Sequence, residues 1–249
     1  MAKVSTVPTA PTAPTAPTAP KGGNTATGGE KHRVRVVAVD ATWLLHRAFH
    51  VRPSGVPYMT FGWVCQYALQ YQATHIIPCF DTGKSFRHDV YPGYKAARNK
   101  NVAPGAPRPS DYVDSTVAFL RKAGFDVLLG NGFEADDLLK TVGELADSKI
   151  KTILVTPDKD NLQGISENCV QVRPGVAGNP DVVWDLKRLL TETGFTPRQY
   201  RDHQILIGDD TDCIPKILTP AKAKKIILEH GSLGKFFSTQ EGEKFYWDN

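Results

Sequence analysis

Nine carboxylates in this sequence fall where they could act together. Asp40 closes the apolar run VRVVAVD and Asp81 closes THIIPCFD. Glu134, Asp136 and Asp137 follow FDVLLG, Asp158 and Asp160 follow KTILV, and Asp209 and Asp212 lie in GDDTDCIP. A single aspartate at such a place is often a helix N-cap or a loop tip, and Asp210 is assigned to the surface on that ground. Recurrence at the ends of four successive apolar runs is a different matter. Two like charges about 4 Å apart repel by roughly 4 kcal/mol at an effective dielectric of about 20, against a folding margin of about 5–15 kcal/mol. Divalent cations would remove that cost. All the candidate ligands are oxygens and no His or Cys is spaced to join them, so Mg²⁺ or Mn²⁺ is expected rather than zinc or copper. Two or more such ions, about 3.5–4 Å apart, can activate a water and stabilise the leaving oxygen of a phosphodiester.

For these acids to meet, the runs that carry them must be strands of one sheet. Helix-compatible segments alternate with them: residues 60–72, the stretch SDYVDSTVAFLRKAG with Ser110 as its N-cap, and NGFEADDLLKTVGELA. Strands alternating with helices predict an α/β fold, a mainly parallel sheet with helices on both faces. Ligands bind such sheets outside the carboxyl ends of the strands, which is where the acids lie. After about residue 185 the strand signal fades, and DLKRLLTETG, PRQYRDHQILIG and AKAKKIILEHG read as short helices. The expected organisation is a Pro/Thr/Ala-rich tail at 1–31, an α/β core at 32–184 and a helical region at 185–249. The tail, PTAPTAPTAPTAP followed by KGGNTATGGE, has too little apolar surface to offset the entropy of ordering it.

Bulk properties exclude other classes. No run approaches a membrane span, for which about 20 apolar residues are needed. Cys65, Cys79, Cys169 and Cys213 form no CxxC pair, which argues for reduced thiols, a cytoplasmic setting and no zinc site. The formal net charge of +4 says little, but its distribution says more. Lys84, Arg87, Lys95, Arg98, Lys100 and Arg108 are interleaved with Phe86, Tyr91 and Tyr94, and Asp89 is the one acid between Lys84 and Arg108. Cations for phosphates and aromatic faces for bases make a single-strand-binding composition, although a solvated charged loop has it too. Lys216, Lys222, Lys224 and Lys225 form a second patch suited to a duplex backbone or simply to solvent. Near Asp40, Arg47 could meet phosphate and Phe49 could stack on a base or lie in the core.

Five stretches in a fixed order, VDATWLLHRAFH, FDTGKSFRHDVYPGYKAARN, GFEADDLL, TPDKDNLQ and GDDTDCIP, resemble the 5′-nuclease (flap endonuclease) family. That family includes the 5′→3′ exonuclease domain of bacterial DNA polymerase I and stand-alone phage 5′ exonucleases. The resemblance covers about residues 37 to 215. It implies a PIN-like core plus a helix–hairpin–helix-type region. It also implies one metal held by Asp40, Asp81, Glu134 and Asp136, a second group of Asp158, Asp160, Asp209 and Asp212, and Asp137 between them. Lys84 and Arg87 match the base of the family's helical arch (here 84–110), where the scissile phosphate is steered, and Tyr94, Lys95 and Arg98 match its YKxxR segment. The implied reaction is hydrolysis of DNA at 5′ ends, flaps and single-strand/duplex junctions, leaving a 5′-phosphate. Replication or repair in a bacterial or phage-infected cell, by a monomer, is the implied setting. One departure stands out: the hairpin reads IPKILTPAKAKK, without the family's glycines, so lysine side chains are expected to replace backbone amides there. A PIN-like ribonuclease and an inactive DNA-binding module are the alternatives, and the intact acid set speaks against the second.

Overall fold

The computed structural model describes residues 34–97, 105–176 and 178–248. The expected tail and Arg98 lie outside them. Strand β1 (Val34–Asp40) leads into helix α1 (Ala41–Val51), and α2 (Val56–Gln70) leads to β2 (His75–Thr82). The short α3 (Arg87–Val90) precedes α4 (Val113–Lys122) and β3 (Leu128–Asn131), and α5 (Ala135–Glu144) precedes β4 (Ile150–Val155). Strands β5 (Cys169–Arg173) and β6 (Val182–Trp184) complete one sheet in the order β3-β2-β1-β4-β5-β6. The β5–β6 pair is antiparallel and the other pairs are parallel.

Period-two alternation explains how the sheet takes helices on both faces. Val37, Val39, Phe80, Ile153 and Val155 point to α1, α2 and α4, where Leu44, Val64 and Leu120 are buried against them. Ala38, Cys79, Leu154 and Cys169 point the other way and pack under Leu139 and Val142 of α5. Small Ala38 and Cys79 bring α5 close to the sheet, and with it the acids at its start.

Three boundaries differ from the sequence expectation. Strand β3 begins at Leu128 rather than Phe125, because the Phe125 amide still bonds to the Leu120 carbonyl at the end of α4. Ser110 is not an N-cap. It lies in a 3₁₀ turn, Pro109–Tyr112, in which Asp111 accepts from the Arg108 amide at 2.8 Å, and α4 starts at Val113. Helix α2 starts at Val56, because Pro57 falls in the first turn, where its missing N–H costs nothing. Strands β5 and β6 are additions: a glutamine interrupts the apolar pattern of the first, and the second has three residues.

The C-terminal helices are α6 (Leu186–Thr193), α7 (Pro197–Ile207), α8 (Pro220–His230), α9 (Leu233–Phe237) and α10 (Gln240–Asp248). Leu189, Leu206, Ile227 and Phe236 pack with Leu162, Ile165 and Trp184. Residues 32–249 therefore form one compact unit, and the expected division at 184/185 falls inside it. Helices α7 and α8 flank the hairpin. Among the described residues no helix is long and apolar enough to cross a membrane.

Candidate active site

The carboxyl edge of the sheet opens into a cavity of about 1090 Å³, lined by Asp40, Asp81, Glu134, Asp136, Asp137, Asp158, Asp160, Asp209 and Asp212. The fold thus brings all nine acids to one place. Asp40 ends β1 and also caps α1, accepting from the Trp43 amide at 2.8 Å. Asp81 accepts from the amide of Ala135, the first residue of α5, so the positive end of that helix faces it. The turn between them depends on glycine: a Cβ on Gly130 would collide with the Phe133 carbonyl oxygen, and Gly132 has φ +78°. Asp158 accepts from the Asp160 amide at 2.9 Å, and Asp160 accepts from Gln204 of α7 at 3.2 Å. Asp209 is folded back on its own loop, accepting from the Thr211 amide at 2.7 Å.

Electrostatics sorts the acids into two kinds. Asp40, 8 % exposed, is pushed up to about 7, first by burial and then by the charges of Asp81 and Asp158. Asp136 is raised by burial and by Asp40 and Asp158. Asp81 is raised by burial and by Glu134, and Asp160 by burial and by Asp158. Among the described residues no cation offsets this repulsion in full. Glu134 and Asp137 behave oppositely. Burial pushes each up, but Lys95 (2.7 Å) and Tyr94 (2.8 Å) hold Glu134 below its ordinary value. Arg87 does the same for Asp137 through two hydrogen bonds of 2.7 Å. The Tyr94 hydroxyl lies 3.0 Å from Asp212, and the Lys95 amide donates to the Asp212 carbonyl at 3.0 Å. The division by charge, with Asp40, Asp81, Asp136 and Asp160 raised, differs from the division that the family resemblance implies.

The basic and aromatic candidates are less uniform. Arg87, Tyr94 and Lys95 line the cavity. Lys84 does not: its ammonium pairs with Asp89 at 2.6 Å on the exposed surface. Tyr94 is buried, so it supports the acids instead of offering a face for a base. The Arg47 guanidinium lies over the rings of Trp43 (5.5 Å) and Trp63 (4.9 Å). Phe49 packs against Tyr112 in the core, at 5.7 Å between ring centroids. Lys216, Lys222, Lys224 and Lys225 are exposed, and Lys224 reaches the Thr193 carbonyl at 2.8 Å. Sequence reasoning missed the neutral partners: Thr156 on Asp40 (3.3 Å), Asn161 on Asp136 (2.6 Å), Ser85 on Glu134 (3.2 Å) and Gln204 on Asp160. Asn161 sits within the TPDKDNLQ stretch and was within reach of a motif argument, whereas Gln204 carries no local signal.

Among the described residues, no three His, Cys, Asp or Glu side chains already stand in a geometry that would hold a metal ion. Each carboxylate is instead turned toward a protein donor. The donor set still fits a hard divalent cation, since converging carboxylates that raise one another's proton affinity, as Asp40 and Asp136 do, are what such an ion stabilises.

Residues 35–194 match the family described as 5′-3′ exonuclease, N-terminal resolvase-like domain. DNA polymerase I of Mycobacterium tuberculosis is 35 % identical over 164 residues, which is 64 % of this chain and 18 % of that one. The thermostable DNA polymerase I of Thermus aquaticus is 30 % identical over 218 residues, 80 % of this chain and 24 % of that one. A 5′-3′ exonuclease of Aquifex aeolicus is 30 % identical over 172 residues, 67 % and 56 % of the two chains. This chain therefore spans about a fifth to a quarter of the polymerases it matches. Among solved structures, a bacteriophage T5 5′-exonuclease aligns with TM-score 0.64 at 19 % identity, covering 87 % of this chain and 83 % of that one. The T5 flap endonuclease with DNA and metal ions aligns with TM-score 0.64 at 20 % identity, covering 83 % and 79 %. The catalytic core of Rad2 with DNA substrate gives 0.53 at 16 %, covering 87 % and 67 %. At those identities the likeness is one of fold. The sequence match over most of the core carries more, and the chain belongs to the 5′-3′ exonuclease family through this resolvase-like domain.

Proposed function

We propose that this chain is a divalent-metal-dependent nuclease that hydrolyses DNA phosphodiesters at 5′ ends and flaps, leaving 5′-phosphate, in replication or repair. The observation that carries the reading is the convergence of Asp40, Asp81, Asp136 and Asp158 on one cavity that Arg87 and Lys95 also line, with Asp40, Asp81 and Asp136 raised by burial and by neighbouring carboxylates. These four would hold the cation, with Glu134, Asp160, Asp209 and Asp212 available around them, and Mg²⁺ or Mn²⁺ suits the all-oxygen set. When bound, such ions neutralise phosphate charge and lower the pKa of water.

The chain's own part is binding and orientation. The Arg87 guanidinium presents a fork that fits phosphate as well as it fits the Asp137 carboxylate. Lys95 releases Glu134 when a phosphate competes for its ammonium. Lys84, outside the cavity, meets the strand before it enters. The exposed lysines of α8 meet a duplex backbone, a contact that salt weakens. A monomer suffices for all of this.

A 5′-labelled flap and a matched duplex, incubated with Mg²⁺, with EDTA and with Asp136→Ala, test the proposal. Mg²⁺-dependent release of 5′ fragments by the wild type alone supports it. Equal products from wild type and variant would sink it, and preferential cleavage of a matched RNA flap would favour the ribonuclease alternative.

A further inference from the structure

The turn that carries Asp158 is held from the neighbouring strand by side chains with no part in the reading above. Gln171, in the middle of β5, is fully buried. Its Nε2 group donates to the Thr156 carbonyl at 3.1 Å and to the Asp158 carbonyl at 2.6 Å. Arg173 lies two residues on, and so on the same face of the strand. It donates from Nε to the Pro157 carbonyl at 3.1 Å. Two side chains of β5 thus fix three consecutive carbonyls. The same turn is tied to β1: the Thr156 hydroxyl donates to Asp40 at 3.3 Å and accepts from the Asp158 amide at 3.2 Å.

The arrangement has a cost that a purely structural residue would not carry. Both partners of the Gln171 amide are carbonyls, so its NH₂ must face them and Oε1 must face elsewhere. That oxygen is buried without a hydrogen-bond partner among the described residues. Directly opposite on β6 stands Trp184, whose indole Nε1 is likewise buried without a partner among them. Leu or Met would bury no such oxygen at this position, but would take the donor from the Thr156 and Asp158 carbonyls.

We infer that Gln171, assisted by Arg173, is a positioning residue for the divalent-cation site, holding the main chain at 156–158 so that Asp158 is presented beside Asp40 and Asp136. The inference rests on the cation-dependent reading of the site. Partners behind metal ligands commonly change affinity or activity by about 10–100-fold when removed.

Binding of Mn²⁺ to the full chain without DNA, followed by electron paramagnetic resonance, reads the effect apart from turnover. Gln171→Met is expected to weaken Mn²⁺ binding by about tenfold or more, and to lower kcat while leaving KM for a DNA flap unchanged. Arg173→Met should move both quantities the same way by less. Leu189→Ala, a core change in α6 outside the 156–158 turn and its partners on β5, should lower Tm and leave Mn²⁺ affinity far less changed than Gln171→Met does. Wild-type affinity in a folded Gln171→Met variant overturns the inference, as does an equal loss of affinity in Leu189→Ala. If Gln171→Met does not fold, Arg173→Met decides, and unchanged affinity there overturns it. A wild-type chain that binds no Mn²⁺ would instead overturn the proposed function itself.

Discussion

Asp136 shows what a single side chain must reconcile. It is half-buried, it lies within the charge field of Asp40, Asp81 and Asp158, and among the described residues its neutral support is the Asn161 amide at 2.6 Å. Without a cation that charge is a liability; with one it is a ligand. Asp136→Asn keeps the shape and removes one negative charge from the cluster. Cleavage of a Mg²⁺-loaded flap substrate should fall by at least about 100-fold, while the melting temperature in EDTA rises by the equivalent of roughly 1–2 kcal/mol. A variant that lost both activity and metal-free stability would contradict the electrostatic account. Arg87 poses the complementary question. Its pair with Asp137 is half-exposed and so contributes only about 0–1 kcal/mol to folding, but its two parallel donors match phosphate geometry. Arg87→Lys keeps the charge and loses the fork. We expect single-turnover cleavage to slow by about tenfold or more with Tm nearly unchanged, and wild-type rates would show that charge alone is what the site needs.

At the level of elements, the acids are delivered by strand ends and by turns that only certain residues allow. Gly208, between α7 and the acidic loop, has φ +64°, and a Cβ there would approach the carbonyl oxygens of Ile214 and Pro215 to 2.6 Å. Gly208→Ala should destabilise the fold by about 2 kcal/mol and weaken Mn²⁺ binding by displacing Asp209 and Asp212. Calorimetric unfolding and a metal titration report the two effects separately. The strand ends were legible in the sequence because a buried parallel strand is an unbroken apolar run, and the acid that ends it stands out. Asp40 and Asp81 could be placed at one edge on that signal, and Asp136 and Asp158 by following the next two runs a few residues onward. Strand β5 was not legible, because Gln171 interrupts its apolar run for a partner found only in the folded turn. Tyr94 was read as a face for bases because aromatic and basic residues alternate around it, yet its hydroxyl is drawn inward by Glu134 and Asp212. Composition describes what a segment contains, but burial decides which way each side chain turns.

Over the whole molecule, the acids are supplied by both the sheet and the C-terminal helices, so metal binding and folding are linked. Asp160 bonds to Gln204 of α7, and the cluster formed by Leu189, Leu206 and Ile227 includes Leu162 and Ile165 from the segment after Asp160. Removing Leu206, 1 % exposed, should therefore cost the whole unit about 2–5 kcal/mol, and circular dichroism should still show a single transition for residues 32–249. Two separate transitions would mean that the helices fold apart from the sheet. The same linkage predicts what metal removal does. A cation that binds only the folded chain adds about 2.7 kcal/mol at a hundred times its Kd, which for a chain of this size raises Tm by roughly 5–11 °C. In the Asp136→Asn variant that gain should shrink, since one ligand charge is gone, although the metal-free form starts out more stable. Wild type and variant should therefore exchange order, the variant melting higher in EDTA and the wild type higher in saturating Mg²⁺. Parallel shifts in the two proteins would place the ion somewhere other than among these acids.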